Sequence, residues 1–242
     1  MIEVYTISTP RMDKPAPRQS ARRLIVTIDG PAGAGKSTVA RQLAARLGYL
    51  YLDTGALYRA VAWKVRSEGV RPEDGRAVAA LLPSMQVRMD QRGDGVHVSV
   101  NGHDVTSELR TPEISAMASV VSAIPAVREW LLPVQRQVGE AGGVVAEGRD
   151  LGTRVFPGAD AKFFLDADVD TRAVRRQQDV TVGGRSGPLE RTKQEIETRD
   201  QRDRSRAIAP LVPAVDAEVI DSSALTVEQV IDRMMGKIAA KL

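Results

Sequence analysis

The sequence predicts an α/β protein built on a parallel, doubly wound sheet, with a phosphate-binding loop at the end of its first strand. Three observations predict it. Short apolar runs alternate with segments of helical periodicity along most of the 242 residues. The first run, Leu24 to Ile28, is followed by the glycine-rich stretch GPAGAGKST from Gly30 to Thr38. Polar residues gather where the apolar runs end, at Asp29, Asp53, Glu147 to Asp150 and Asp166. Strands separated by helices favour parallel pairing, and ligands on such sheets sit beyond the strands' carboxyl ends.

The stretch from Gly30 to Thr38 carries the spacing of a phosphate loop: Gly30, four residues, then Gly35, Lys36 and Ser37. Gly30, Gly33 and Gly35 allow turn conformations that a side chain would obstruct. The amides of Pro31-Ala32-Gly33-Ala34 and of Thr38, proline excepted, can then face phosphate oxygens above the positive end of a helix dipole. Lys36 can reach the β- and γ-phosphates of ATP, and the Ser37 hydroxyl can ligate Mg²⁺.

The remaining elements follow in order. Val39, Leu43 and Leu47, with Ala40 and Ala44, form the apolar face of a helix that Gly48 stops. Tyr49 to Leu52 reads as a second strand. The next helix starts at Asp53 or Thr54, shows Leu57, Val61 and Val65 on one face, and ends at Gly69. A short helix over Gly75 to Leu82 precedes Pro83. The period then changes: Val96, Val98 and Val100 alternate with polar residues, and Asn101-Gly102 follows, a strong hairpin signal. Met85 to Thr106 therefore reads as a small antiparallel insertion. Helices resume at Pro112 after Thr111. A further helical run carries Val127, Leu131, Val134 and Val138, and Pro133 inside it is expected to kink or split it. Strands at Val144 to Ala146, Lys162 to Leu165 and Glu218 to Ile220 bring the parallel sheet to five. The last helix opens with the capping box Thr226 to Gln229 and buries Val227, Val230, Ile231, Met234 and Ile238.

Composition excludes several classes of function. There is no cysteine, so disulfides and zinc–thiolate sites are ruled out. No apolar run is long enough to span a membrane, and the start lacks the apolar stretch of a signal peptide, which predicts a cytoplasmic protein. The net charge is +3. Arg11, Lys14, Arg18, Arg22 and Arg23, set against Glu3 and Asp13, account for all of it, so the remainder is neutral and shows no bulk charge for nucleic acid. Residues 1–22 are expected to be a disordered basic tail, and 23–242 a single domain.

A second polar region runs from Asp166 to Ala209. Gly183, Gly184, Gly187 and Pro188 mark a loop inside it. Beyond that loop, Arg199, Arg202, Asp203 and Arg206 fall on one face of a helix. Arginines on one face supply the positive charge that a moving phosphoryl group requires. His97 and His103 flank the hairpin turn, where exposure is expected, and no residue stands out as a general base. That fits an acceptor already anionic, whose oxygen needs no deprotonation.

The stretches LDTGALYR (Leu52 to Arg59), EGRDLGTRVFP (Glu147 to Pro157) and RDQRDRSRAIAPLVPA (Arg199 to Ala214), together with the loop, resemble the bacterial cytidylate kinases. The resemblance runs from about Leu24 to the C-terminus. It implies a P-loop nucleoside-monophosphate kinase fold: a five-stranded parallel sheet flanked by helices, a nucleotide-binding insertion at about 57–130, and an arginine-rich lid at about 168–190. It implies transfer of the γ-phosphate of ATP to CMP or dCMP, with Mg²⁺. The loop from Gly30 to Thr38 would hold ATP. Thr54, Tyr58 and Arg59 would hold the phosphate end of the acceptor, joined by Arg149 and Arg206. Arg199 and Asp203 would contact the sugar, and Ser119, Arg128 and Asp150 would read the base. Arg175 and Arg176 would be lid arginines on ATP. Lys36, Arg149, Arg199 and Arg206 would carry the catalysis. The implied partners are small nucleotides, with no nucleic acid and no membrane, and the implied state is a monomer. Arg154 departs from the pattern, standing where an apolar residue is usual.

Other readings stay open on the sequence alone. One is a uridylate or thymidylate kinase of the same fold, which the set Ser119, Arg128 and Asp150 opposes. Another is a P-loop ATPase switch, although no guanine-reading Asn-Lys-x-Asp motif is present. A third is RNA binding through the basic tail, which the neutral remainder of the chain weakens.

Overall fold

A computed structural model of the chain describes residues 23–92, 95–181 and 188–242. The expected tail, and Gly183, Gly184 and Gly187 of the expected lid, lie outside the described residues. The described chain forms two compact units: Thr54–Val138, and residues 23–53 together with Gly139–Leu242.

The second unit is built on five strands: β1 (Ile25–Asp29), β2 (Leu50–Asp53), β6 (Val144–Gly148), β7 (Ala161–Asp166) and β8 (Glu218–Asp221). They form one sheet in the order β2-β6-β1-β7-β8, with every pairing parallel. Their alternation with helices requires crossovers, and these force the parallel arrangement. β6 is buried along its whole length and β7 nearly so, as expected of strands covered on both faces. Helix α1 (Lys36–Leu47) packs on β6, α8 (Val227–Ala239) packs on β7, and the two helices pack on each other. Val39, Leu43, Val230, Ile231, Met234 and Ile238 are buried; Leu47 and Val227, expected in the core, are only half-buried at the helix ends. The capping box of α8 is formed in both directions, with Gln229 N–H donating to Thr226 Oγ1 at 3.2 Å and Thr226 N–H to Gln229 Oε1 at 2.9 Å.

Register sets the polar strand ends in one row. Asp29 pairs with Gly148 on one side and Phe164 on the other, Asp53 with Glu147, and Asp166 with Asp221. Helices α6 (Val169–Thr181) and α7 (Leu189–Ser205) lie against each other and complete the unit.

In the first unit, α2 (Thr54–Ser67) buries Leu57, Val61 and Val65 and packs on α4 (Pro112–Val121). Helix α3 (Gly75–Leu81) lies before the insertion. The insertion is a three-stranded antiparallel sheet of β3 (Val87–Arg92), β4 (Gly95–Val100) and β5 (His103–Asp104). Asn101 and Gly102, at φ 50° and 84°, form its two-residue turn, a conformation that favours this residue pair. His103 is exposed as expected, whereas His97 is half-buried and lies 3.3 Å from the Asp104 carboxylate. Pro133 does not split its helix: α5 runs unbroken from Pro125 to Gly139. Burial of Val127, Leu131, Val134 and Val138 holds the helix together across the missing N–H. Among the described residues, no single helix is long and apolar enough to cross a membrane.

Candidate active site

The loop between β1 and α1 takes the conformation its glycines allow. Gly30 and Gly33 have φ of 148° and 77°. A Cβ at Gly30 would lie 2.0 Å from the Leu165 carbonyl oxygen, and one at Gly33 would lie 2.7 Å from that of Arg172. Only glycine fits at either position. Helix α1 starts after Gly35, which makes no side-chain cap. Its first amides are therefore left for an anion, with the helix dipole behind them.

Lys36 is buried at the start of α1, and its ammonium donates to the Pro31 carbonyl at 2.6 Å. Burial, and then the nearby Arg149 guanidinium, push its pKa down to about 7, with Arg199 adding to the effect and Glu147 opposing it. Two guanidiniums, of Arg149 and Arg199, and two carboxylates, of Glu147 and Asp29, thus act on the Lys36 ammonium.

Arg149, which follows β6 directly, reaches the Asp203 carboxylate of α7 at 3.1 Å. Arg199 lies 3.9 Å from the same carboxylate and Arg206 lies 3.8 Å from it. Burial raises the Asp203 pKa, but Arg149, Arg199 and Arg206 together outweigh that and hold the carboxyl below its ordinary range. One buried aspartate thus gathers three arginines. Arg175, on α6, donates to the hydroxyl and carbonyl of Ser222 at 3.0 and 2.8 Å, which places its guanidinium beside Gly35. Arg176, on the same helix, is half-buried.

Two carboxylates that the sequence placed at strand ends without giving them a role, Glu147 and Asp29, lie in the same unit. Glu147 accepts from the Tyr51 hydroxyl at 2.5 Å and is hydrogen-bonded to the Ser37 side chain. Burial raises its pKa, and the neighbouring Asp53 adds to the rise. Asp29 accepts from the backbone N–H groups of Leu151 and Gly152 at 2.9 and 2.8 Å. The available signal was the same for both: a carboxylate near the end of a strand that is otherwise apolar. Asp150 is buried next to that turn, where its carbonyl accepts from the N–H groups of Arg154 and Val155.

The first unit links Tyr58, Arg128 and, through Ser122, Ser119, while Thr54 opens α2 and Arg59 follows Tyr58. Arg128 is buried, donates to the Ser122 carbonyl at 3.1 Å, and stacks 5.4 Å from the centroid of the Tyr58 ring. Ser122 in turn donates to the carbonyl of Ser119, which is also buried. Thr54 is buried as the first residue of α2, with Tyr58 and Arg59 half-buried one turn on.

The family profile of cytidylate kinase matches residues 26–240. The chain belongs to the cytidylate kinase family. It is 45% identical over 220 residues to the cytidylate kinase of Syntrophotalea carbinolica, covering 91% of this chain and 94% of that one. It is 46% identical over 213 residues to the cytidylate kinase of Geobacter sulfurreducens, covering 88% and 91%. The bifunctional pantoate ligase/cytidylate kinase of Synechococcus elongatus is 48% identical over 219 residues. That match covers 88% of this chain but only 42% of the longer relative. Membership of this family makes the chain a nucleoside-monophosphate kinase, a phosphotransferase.

Proposed function

We propose that the chain transfers the γ-phosphate of ATP to CMP or dCMP, giving ADP and CDP or dCDP. The observation that carries this reading is the gathering of Arg149, Arg199 and Arg206 on Asp203, in the unit that holds the phosphate loop, with Arg149 and Arg199 close enough to depress the Lys36 pKa. Phosphoryl transfer consists almost wholly of positioning and charge stabilisation, and these cations supply both.

In this reading the amides of Gly30 to Thr38 hold the ATP phosphates, and Lys36 spans the β- and γ-phosphates. Arg175 and Arg176 lie over the nucleotide. An oxygen of the CMP phosphate attacks the γ-phosphorus, the bond to the bridging oxygen breaks, and ADP leaves. The acceptor oxygen is already anionic, so no base is required. Thr54, Tyr58, Arg59, Arg149 and Arg206 hold the acceptor phosphate, Arg199 and Asp203 the sugar, and Ser119, Arg128 and Asp150 the base.

Mg²⁺ would supply charge neutralisation across the phosphates. The hydroxyl of Ser37 and the carboxylate of Glu147, hydrogen-bonded to each other, are hard oxygen donors that fit it. A magnesium site made of one or two protein oxygens plus phosphates needs no larger cage, and the described residues offer no cluster of three or more acidic or histidine ligands. The same reading makes the chain a cytoplasmic monomer with nucleotides as its partners.

The test is whether ATP turnover depends on an acceptor. ADP formation should require added CMP or dCMP and yield the matching diphosphate. Equal ADP release without an acceptor would make the chain an ATPase and overturn the proposal.

A further inference from the structure

Arg172 and Asp200, on helices α6 and α7, are not among the expected site residues, yet both are buried and both hold Ala32 of the phosphate loop. They form a charge-assisted hydrogen bond with each other. Arg172 also donates to the Ala32 carbonyl at 3.1 Å and, through Nε, to the Ala167 carbonyl at 2.9 Å. Asp200 accepts from the Ala32 N–H at 3.4 Å. Both polar groups of one loop residue are therefore held by one ion pair.

We infer that the Arg172–Asp200 pair is a positioning element that fixes the Ala32 peptides and so sets the affinity of the phosphate loop for ATP, given that the loop holds a nucleotide as proposed above. In a planar trans peptide the carbonyl of Ala32 and the N–H of Gly33 point to opposite sides. Arg172 holds that carbonyl against α6. The Gly33 N–H is thereby turned the other way, to the open side of the loop. The close approach of Gly33 to the Arg172 backbone marks the α6 side as filled. A loop whose amides are aimed before the ligand arrives loses less ordering entropy on binding. The same pair ties both helices to a residue next to the phosphates.

The double variant Arg172→Met with Asp200→Leu tests this. Removing both charges leaves no unpaired buried ion but takes the partners from the Ala32 N–H and from the Ala32 and Ala167 carbonyls, so the protein should stay folded with a lowered thermal midpoint. ATP affinity, read by calorimetry on the full chain, should fall at least about tenfold, with KM for CMP within about twofold. A purely structural pair would lower the thermal midpoint and leave ATP affinity unchanged. An ATP affinity within about twofold of wild type in the folded double variant, or KM values for ATP and CMP rising together, overturns the inference. Should the double variant fail to fold, Arg172→Lys keeps the charge but cannot reach Ala167, Ala32 and Asp200 at once. It should weaken ATP binding and leave CMP unaffected, and unchanged ATP binding again overturns the inference. A wild-type chain that binds no ATP would instead overturn the proposed function itself.

Discussion

The carboxylate of Asp29 accepts a hydrogen bond from the backbone N–H of Gly152 at 2.8 Å, across 123 positions of sequence. Asp29 immediately precedes the phosphate loop. Gly152 belongs to the turn that follows Arg149 and Asp150. One buried carboxylate thus joins the segment that would hold the donor to the segment that would hold the acceptor.

This carboxylate makes stability depend on pH. Burial, its largest influence, pushes the Asp29 pKa from 3.8 up to about 6 despite the two backbone N–H donors. A carboxyl whose pKa is raised in the folded state contributes most when protonated in both states, below about pH 4. That contribution is lost as pH rises through about 6, at roughly 1.4 kcal/mol for each pH unit between the unfolded and folded values. Urea unfolding of the wild type and Asp29→Asn should show the wild type losing on the order of 2–3 kcal/mol relative to the variant between about pH 4 and 7. A difference independent of pH would mean that Asp29 keeps an ordinary pKa.

Asp203 has the opposite sign. Its three arginines hold the folded pKa below the ordinary value, so its contribution is present above about pH 4 and is lost as pH falls below that. Asp203→Ala leaves three guanidiniums without their shared counter-charge. It should cost about 3–5 kcal/mol of stability, the range for removing one side of a buried ion pair. In the protein that still folds, kcat/KM for CMP should fall at least about a hundredfold. Activity near wild type would remove the arginine cluster from the site.

Lys36→Met keeps the buried aliphatic stem and removes the ammonium. That ammonium hydrogen-bonds to the Pro31 carbonyl within the loop itself, and burial already disfavours its charge, so the fold should survive. Turnover should fall on the order of a thousandfold, comparable to losing a cation on the transferring group. Circular dichroism and single-turnover rates measure the two effects separately. A folded variant with near-normal turnover would exclude Lys36 from the reaction.

Most of the fold was legible because its signals are local. The phosphate loop, the Asn101-Gly102 turn and the Thr226 capping box each act within a few residues, and the structure forms all three. Of the kink or split expected at Pro133, the split does not occur, since tertiary burial of α5 outweighs a local preference. Lys36, Arg149, Arg199 and Arg206 are proposed as catalytic groups on motifs that the sequence carries, and the structure places Arg149, Arg199 and Arg206 on one carboxylate. The contacts of Asp203 with Arg199 and Arg206 follow from i,i+4 and i,i+3 spacing and were readable in the sequence. The tie of Asp203 to Arg149, Asp29 as a strut and Arg172 as a clamp were not: those partners lie far away in sequence, Arg172 and Ala32 being 140 positions apart, and no periodicity encodes such a contact.

Base choice follows from hydrogen-bond polarity. Cytosine offers an amino donor at N4 and acceptors at N3 and O2, whereas uracil offers an acceptor at O4 and a donor at N3. Arginine only donates and carboxylate only accepts, so if Arg128 and Asp150 read the base as proposed, they would suit cytosine and oppose uracil. Asp150→Asn adds a donor where only an acceptor stood. The CMP/UMP ratio of kcat/KM should then fall by at least about tenfold, mostly through CMP, consistent with about 1–3 kcal/mol for a buried polar group left unpaired. Equal proportional losses for CMP and UMP would make Asp150 structural.

An acceptor panel tests the proposed reaction most directly. Initial rates of ADP formation are measured with ATP, Mg²⁺ and each of CMP, dCMP, UMP, dTMP, AMP and GMP. CMP and dCMP should give kcat/KM at least about a hundredfold above UMP and dTMP, as two mismatched buried hydrogen bonds imply, and should also exceed AMP and GMP. Equal or faster phosphorylation of UMP, dTMP or a purine nucleotide would contradict the assignment.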